Sequence, residues 1–507
     1  MLVGLASADD GEARRQLQPL LRNFEPLPGR SWTEFPVIPV IATVLWYAGR
    51  DVPAVSMVLR SQDRSDDLSK RVVETARAKF YFGAMNALHH RRPDYATTLL
   101  KANELAFRGL VDLAPESAMA TIMRFVERAA TPPTPAVAPA GRPTLISLCV
   151  WGEPFIDAAA RYFLPCCLAP GNVPELGKHG TVYLRINTRA EDVPRIKSLP
   201  VVEALSRHAV IDCAAIPETV LAGPHLSGRQ FWNRMIFAAL NYADLMVARS
   251  IGADFIPAVP DQLFSNRCYT AAKEILMSGY QAVVQQPIRA VASRIMTALE
   301  AAGCLRDGCI DVPSATLYRA SLETIHPFIK QSFMRRQPTQ LPVDPIQFYF
   351  PTSSGFRLHG FQLEFRAAAT RDLPADLTCD FHTYDTRLLS DLLRGRDRDK
   401  AAYVQHQMPS ETYLVTIDEE GTTASFGEFE LSPPGSVRSI IKWINNEVDI
   451  DHFLWTVQQK FDFSLPPGVR LDMPADCADE DEAVSRMVQI LQSERPAILQ
   501  KLDVYRR

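Results

Sequence analysis

The chain has 507 residues, 47% of them hydrophobic and 22% charged, with a formal net charge of -4. That length exceeds what one hydrophobic core serves and predicts two or three domains, and the composition excludes a mainly disordered chain. The small acidic excess argues against a protein that wraps nucleic acid, which needs a basic surplus, so no nucleic-acid partner is expected.

No membrane span is expected either. The most apolar stretches, 35–48 and 231–248, are broken by Pro36, Pro39, Asn233, Arg234, Asn241 and Asp244, and neither gives the roughly 20 unbroken apolar residues a bilayer needs. The first ten residues lack a basic segment and turn acidic at once, unlike a signal peptide. Nine cysteines are scattered with no Cys-x-x-Cys pair, which reads as reduced, structural thiols rather than a zinc ribbon. A bacterial-type, cytoplasmic protein is the expectation.

Along the chain, residues 66–89 and 95–113 carry apolar side chains at helical spacing (Val72, Val73, Ala76, Phe80, Phe82 and Met85, then Leu99, Leu100, Leu105 and Leu110). Pro53, Pro93 and Pro115 punctuate the series, and Asp94 and Glu116 stand where helices would start. Residues 1–130 are therefore expected to form a helical domain that docks or supports something. Five prolines in 131–143 prevent a helix and predict a semi-rigid spacer.

Beyond the spacer, short apolar strands alternate with helices. Strands are predicted at 144–150, 181–187, 209–213, 254–259 and 281–284, and helices at 153–163, 193–207, 228–251 and 269–278. This order predicts a mostly parallel sheet with helices on both faces, and ligands bound beyond the strands' carboxyl ends. That rule singles out Trp151-Gly152-Glu153, Asn187-Thr188-Arg189 and Pro260-Asp261-Gln262. From 304 to 430 the pattern loosens into mixed strands and loops, with strands at 345–350, 361–365 and 413–417. The last region, 431–507, is expected to hold two helices, 436–461 and 481–502.

Several common sites are excluded. No Gly-x-Gly-x-x-Gly follows the first strand, and no Gly-x-Ser-x-Gly elbow exists. The nearest approach to a P-loop, 171–179, has one residue too many between its glycines and His179 where Ser or Thr should hold magnesium. His89-His90, beside Arg91 and Arg92, suits a helix end better than a metal.

The segment from Thr144 to about Val284 resembles a GT-A nucleotide-sugar glycosyltransferase domain. The likeness rests on an opening strand that turns at Trp151-Gly152-Glu153-Pro154, and on a long helix running into a short strand that stops at an acidic loop, 252–266. It covers a quarter to a third of the chain and is one of architecture. The resemblance implies an α/β, GT-A-like region at 144–303 behind the helical domain, with 304–430 on the acceptor side as part of an α+β extension. It implies a nucleoside diphosphate sugar as ligand, bound by Trp151, Gly152, Glu153, Asn187, Arg234, Asp261 and Gln262. It also implies Mn2+ or Mg2+, with Asp261 as ligand, because a departing diphosphate needs its charge stabilised.

Here the sequence departs from the pattern: Asp261-Gln262 offers one carboxylate and an amide where two carboxylates are expected. Asp261 also reads as a turn residue that caps the next helix, and Arg229 and Arg234 are cationic alternatives to a metal. Literal Asp-x-Asp triplets at 397–399, 449–451 and 479–481 fall in a charged loop, inside a helical pattern and at a helix start, and read as decoys. Trp151 is a candidate to stack on a nucleobase. His326, His359 and Asp380 are the candidate catalytic groups, each with the alternative of a hydrogen-bonded structural residue. A non-catalytic scaffold that keeps the fold is the competing expectation. A nucleotidyltransferase ranks last, for want of a glycine- and basic-rich opening loop. A protein acceptor or a second subunit is the expected partner of the N-terminal helices.

Overall fold

The computed structural model describes residues 141–216, 229–341, 345–373, 384–421, 429–443 and 450–506. The chain divides into two units. One comprises Met1–Glu127, Pro217–Ala239 and Thr378–His382, the other Arg128–Ile216, Leu240–Leu377 and Thr383–Arg507. Of the first unit only 229–239 is described; the expected helical domain and nearly all of the proline-rich spacer lie outside the described residues. Every strand among the described residues belongs to the second unit.

Strand β1 (Thr144–Cys149) is buried along its whole length, as a run without polar alternation must be when both faces of a sheet are covered. Helix α1 (Glu153–Ala158) follows, then β2 (Val182–Arg189) and β3 (Val210–Ile216). The single helix expected at 193–207 is instead two short ones, Val193–Lys197 and Pro200–Leu205, because Pro200 has no N–H to continue the ladder. Helix α2 (Arg229–Ser250) leads into β4 (Asp254–Ala258), then β5 (Gln262–Phe264), α3 (Cys268–Met277), β6 (Ala282–Gln285) and β7 (Arg289–Val291). After helix α4 (Pro327–Gln331) come β8 (Gln347–Pro351), β9 (Gly355–Gly360), β10 (Glu364–Ala369), β11 (Ala402–Val404), β12 (Gln407–Met408) and β13 (Leu414–Asp418).

The central sheet has seven strands in the order β11-β6-β10-β4-β1-β2-β3. Strands β4, β1, β2 and β3 run parallel, and β11 runs parallel to β6. Only β10 is reversed, antiparallel to both neighbours. Two of its strands thus come from beyond residue 303. Leu145, Ile146, Leu184, Ile186, Phe255, Val283 and Val284 form its buried centre, each such side chain stabilising the fold by about 1.5–3 kcal/mol.

Of the four smaller sheets among the described residues, two have more than two strands. One runs β5-β13-β7; the other takes in β14 (Phe461–Ser464) and runs β8-β9-β14-β12. The tail differs from the single helix expected at 436–461. Helices α5 (Pro433–Trp443) and α6 (Ile450–Thr456) are separate, and β14 follows. The alternation Phe461, Asp462, Phe463, Ser464, with both phenylalanines buried, is the period of a strand. Helix α7 (Glu480–Arg506) ends the chain. No helix among the described residues is long and apolar enough to cross a membrane.

Candidate functional site at the carboxyl edge of the sheet

From β1 the chain passes outward to β2 and β3, then returns to β4 on the other side of β1. The order reverses between β1 and β4, which is where an open α/β sheet leaves a ligand crevice beyond its carboxyl ends. Trp151 and Gly152 follow β1 there, Asn187 and Arg189 close β2, and Pro260-Asp261 follows β4. The reversed β10 brings its first residue, Glu364, to this edge, opposite Gln285 at the end of β6.

The β5-β13-β7 sheet adds further groups. The Asp261 carbonyl accepts the Ile417 N–H at 2.9 Å, and Thr416 stands opposite both Gln262 and Arg289. Arg289 Nη1 donates to Asp418 Oδ2 at 2.6 Å, with the arginine side chain 41% exposed and the aspartate 16%. The Arg289 guanidinium also lies 5.9 Å from the Phe328 ring centre. Beside it, Glu364 is ion-paired to Arg366.

Asp261 is half-buried by surface yet closely enclosed by protein. Desolvation pushes its carboxyl up from 3.8 to about 6; the Arg289 charge opposes the shift, and Asp418 and Glu364 add to it. The two amide atoms of the fully buried Gln285, the Nε of Arg366 and the hydroxyl of Thr416 have no hydrogen-bond partner among the described residues. Buried polar atoms without partners are rare in folded proteins and mark places where water or a ligand completes the set.

Where β1 ends, Trp151 is half-buried. Gly152 has φ 82°, a left-handed conformation that favours glycine, and its N–H donates to Asp192 Oδ2 at 3.0 Å. Glu153 is exposed and faces Arg195 at 3.5 Å. Asn187 is fully buried: its Oδ1 has no hydrogen-bond partner among the described residues, while its amide nitrogen donates to Asp244 Oδ2 at 2.6 Å. Ser147 donates to the same Asp244 oxygen at 2.6 Å, and Arg185 Nε lies 2.8 Å from Asp244 Oδ1. This knot ties α2 to β1 and β2 directly beneath the edge.

The other sequence candidates fall in different places. His326 is buried next to the Arg289 cluster, its backbone N–H donating to the Arg289 carbonyl at 2.9 Å. Its Nδ1 caps α4 by accepting the Phe328 N–H, and its Nε2 donates to the Glu419 carbonyl at 3.1 Å. His359 belongs to β9 in the four-stranded sheet, where its ring nitrogens face the Val457 carbonyl at 2.9 Å and Glu480 Oε1 at 3.2 Å. Asp380 lies outside the described residues, as do the side chains of Arg229 and Arg234. Of the Asp-x-Asp triplets, Asp399 accepts from Trp455 at 2.8 Å and Asp479 caps the N–H of Glu482 at 2.9 Å, both structural uses. Asp449 lies outside the described residues.

The donor set does not suit the divalent cation that the resemblance implies. Asp418 is committed to Arg289 and Glu364 to Arg366, while Asp261 has a permanent cation, Arg289, beside it. Among the described residues no three His, Cys, Asp or Glu side chains come together in an arrangement that holds a metal. Sequence reasoning found Asp261 and Gln262 but missed Arg289, Glu364, Arg366, Asp418 and Gln285. The one sequence signal that could have found any of them is Glu364-Phe-Arg366, two charges at strand spacing amid apolar residues.

No protein-family model matches the chain, and neither does any curated protein.

Proposed function

We propose that the chain is a glycosyltransferase of GT-A-like architecture that moves a sugar from a nucleoside diphosphate sugar to a cytoplasmic acceptor. One observation carries this reading. The strand that follows the long helix, β4, ends at the sheet's switch point in a loop whose carboxylate, Asp261, lies within electrostatic reach of Arg289, Asp418 and Glu364. Trp151 stands at the end of the neighbouring β1, where an aromatic face suits a nucleobase. Free thiols at the eight described cysteines agree with a cytoplasmic setting. A protein acceptor or second subunit docking on residues 1–130 belongs to the same reading.

In the transfer step the acceptor oxygen bonds to the anomeric carbon, the bond from that carbon to the diphosphate breaks, and the acceptor proton goes to a base. His326 and His359 already have both ring nitrogens engaged. Asp261 is the base of choice: at about 6 it is ionised at neutral pH yet more basic than an ordinary aspartate, which suits proton acceptance. The competing scaffold reading is favoured by Gln262, which stands where a second carboxylate is expected.

Thermal unfolding against UDP, GDP, CMP and their sugar conjugates decides between them. One nucleotide series should raise the midpoint by roughly 2–4 °C or more near saturation. Asp261→Ala should abolish donor turnover with the fold intact. A flat response to every nucleotide, with no turnover, would leave the scaffold standing instead.

A further inference from the structure

The geometry points to Arg289 as the group that meets the doubly anionic part of the ligand at this edge, in place of a divalent cation. The inference rests on the glycosyltransferase reading for the identity of that anion, a diphosphate.

Three observations converge on Arg289. First, the carboxylates that would have to gather a metal are each held by, or set against, an arginine. Second, Arg289 is tethered but not consumed. Among the described residues its guanidinium hydrogen bond goes through Nη1 to Asp418, and the side chain stays 41% exposed. A guanidinium has five N–H donors in a flat fork that matches phosphate oxygens, so one carboxylate can orient it while the other edge binds. Third, some of the buried polar atoms left without partners belong to residues of its own neighbourhood. Thr416 is its direct neighbour across β13 and β7, and Gln285 stands opposite Glu364, whose charge acts on Arg289.

The local charge allows an anion to enter. Asp418 offsets Arg289 and Glu364 offsets Arg366, leaving Asp261 as the excess negative charge. Its carboxyl already binds a proton more readily than usual, and the charge gathering on a departing diphosphate strengthens that tendency, so the proton that Asp261 takes from the acceptor also relieves its repulsion of the leaving group; free pyrophosphate draws that proton from solvent instead. A bound cation would push the other way and hold Asp261 ionised.

The test uses inorganic pyrophosphate as probe on the full chain, read by thermal unfolding in EDTA. A midpoint rise of roughly 2–4 °C near saturation is expected without metal. Asp261→Asn, which mimics the protonated carboxyl, should keep the rise; Arg289→Met should lose it. Because Arg289→Met strands Asp418, the pair Arg289→Met with Asp418→Asn serves as a second variant and should also lose the response. A rise that requires Mn2+ and disappears in Asp261→Asn overturns the inference, as does no rise in EDTA, or a rise that survives both Arg289 variants. Nucleotide sugars run in parallel separate this from the functional reading. Pyrophosphate binding in EDTA without any nucleotide-sugar response sinks the transferase and leaves the Arg289 site standing. A nucleotide-sugar response that appears only with Mn2+ sinks the Arg289 site and leaves the transferase.

Discussion

Lys273 on α3 is 1% exposed, and its ammonium is fully used: Asp254 Oδ2 accepts at 2.6 Å, the Arg142 carbonyl at 2.9 Å and the Pro143 carbonyl at 3.2 Å. Burial pulls the lysine down and pushes Asp254 up, and the attraction between the two charges opposes both shifts. Breaking a buried pair from one side costs more than the pair contributes, about 3–5 kcal/mol, because the survivor is left charged in a dry place. Arg142 also contacts Asp254, so Lys273→Met should fall at the lower end, about 3 kcal/mol. Adding Asp254→Asn should restore part of that loss in a urea-unfolding cycle. Equal midpoints for single and double variants would show that Arg142 alone satisfies Asp254.

At the scale of elements, β9 and β14 approach so closely that no side chain fits at Gly355. A Cβ there would stand 2.0 Å from the Phe463 carbonyl oxygen, within the register that pairs Gly355 with Ser464. Gly355→Ala should therefore push β14 outward, destabilise the fold by about 1–3 kcal/mol and speed amide exchange across 461–464. Exchange unchanged in that strand would mean the sheet absorbs a methyl group by shifting. The same strand shows what sequence reading misses. Phe461–Ser464 is too short to stand out at the end of a helical pattern, and only its pairing partner makes it a strand. By contrast β1, β4 and β6 are legible from short, largely apolar runs, since a strand covered on both faces has no regular polar alternation to hide it. Membership of the sheet is a different matter. Glu364–Ala369 carries two charges, and nothing in its own residues says that it inserts backwards between β4 and β6. The site follows the same logic. Asp261 was visible because it ends a strand, whereas Arg289 and Asp418 lie 129 residues apart, a separation no spacing rule reaches.

For the whole molecule, pH gathers these buried charges into one measurable curve. Glu480 at the start of α7 is pulled down to about 2, first by the hydrogen bond from His359 and then by Arg357 and Lys460. Its stabilising contribution is present above the ordinary glutamate value, roughly 4.3, and is lost as pH falls from there toward 2. Asp244 has the opposite sign. Desolvation lifts it from 3.8 to about 6 against the pull of Arg185, Ser147 and Asn187. Between about 4 and 6 the unfolded chain has released this proton while the folded chain retains it, so stability falls as pH rises through that window. Asp261, lifted to the same region, adds to the fall. Buried His452, held down to about 3 chiefly by desolvation, has the opposite sign: the unfolded chain takes up its proton below about 6.5, so stability is lost as pH falls from there, which offsets part of the carboxylate effect. Replacing Asp244 by asparagine removes its proton from the balance but keeps its shape. The stability of Asp244→Asn relative to the parent should therefore rise by up to about 3 kcal/mol between pH 4 and pH 7, whatever the fixed cost of the substitution. Chemical unfolding at several pH values measures that difference directly. A constant difference across the range would mean that Arg185 keeps Asp244 ionised down to the ordinary carboxylate range, and that the knot at the sheet's carboxyl edge is a true ion pair throughout.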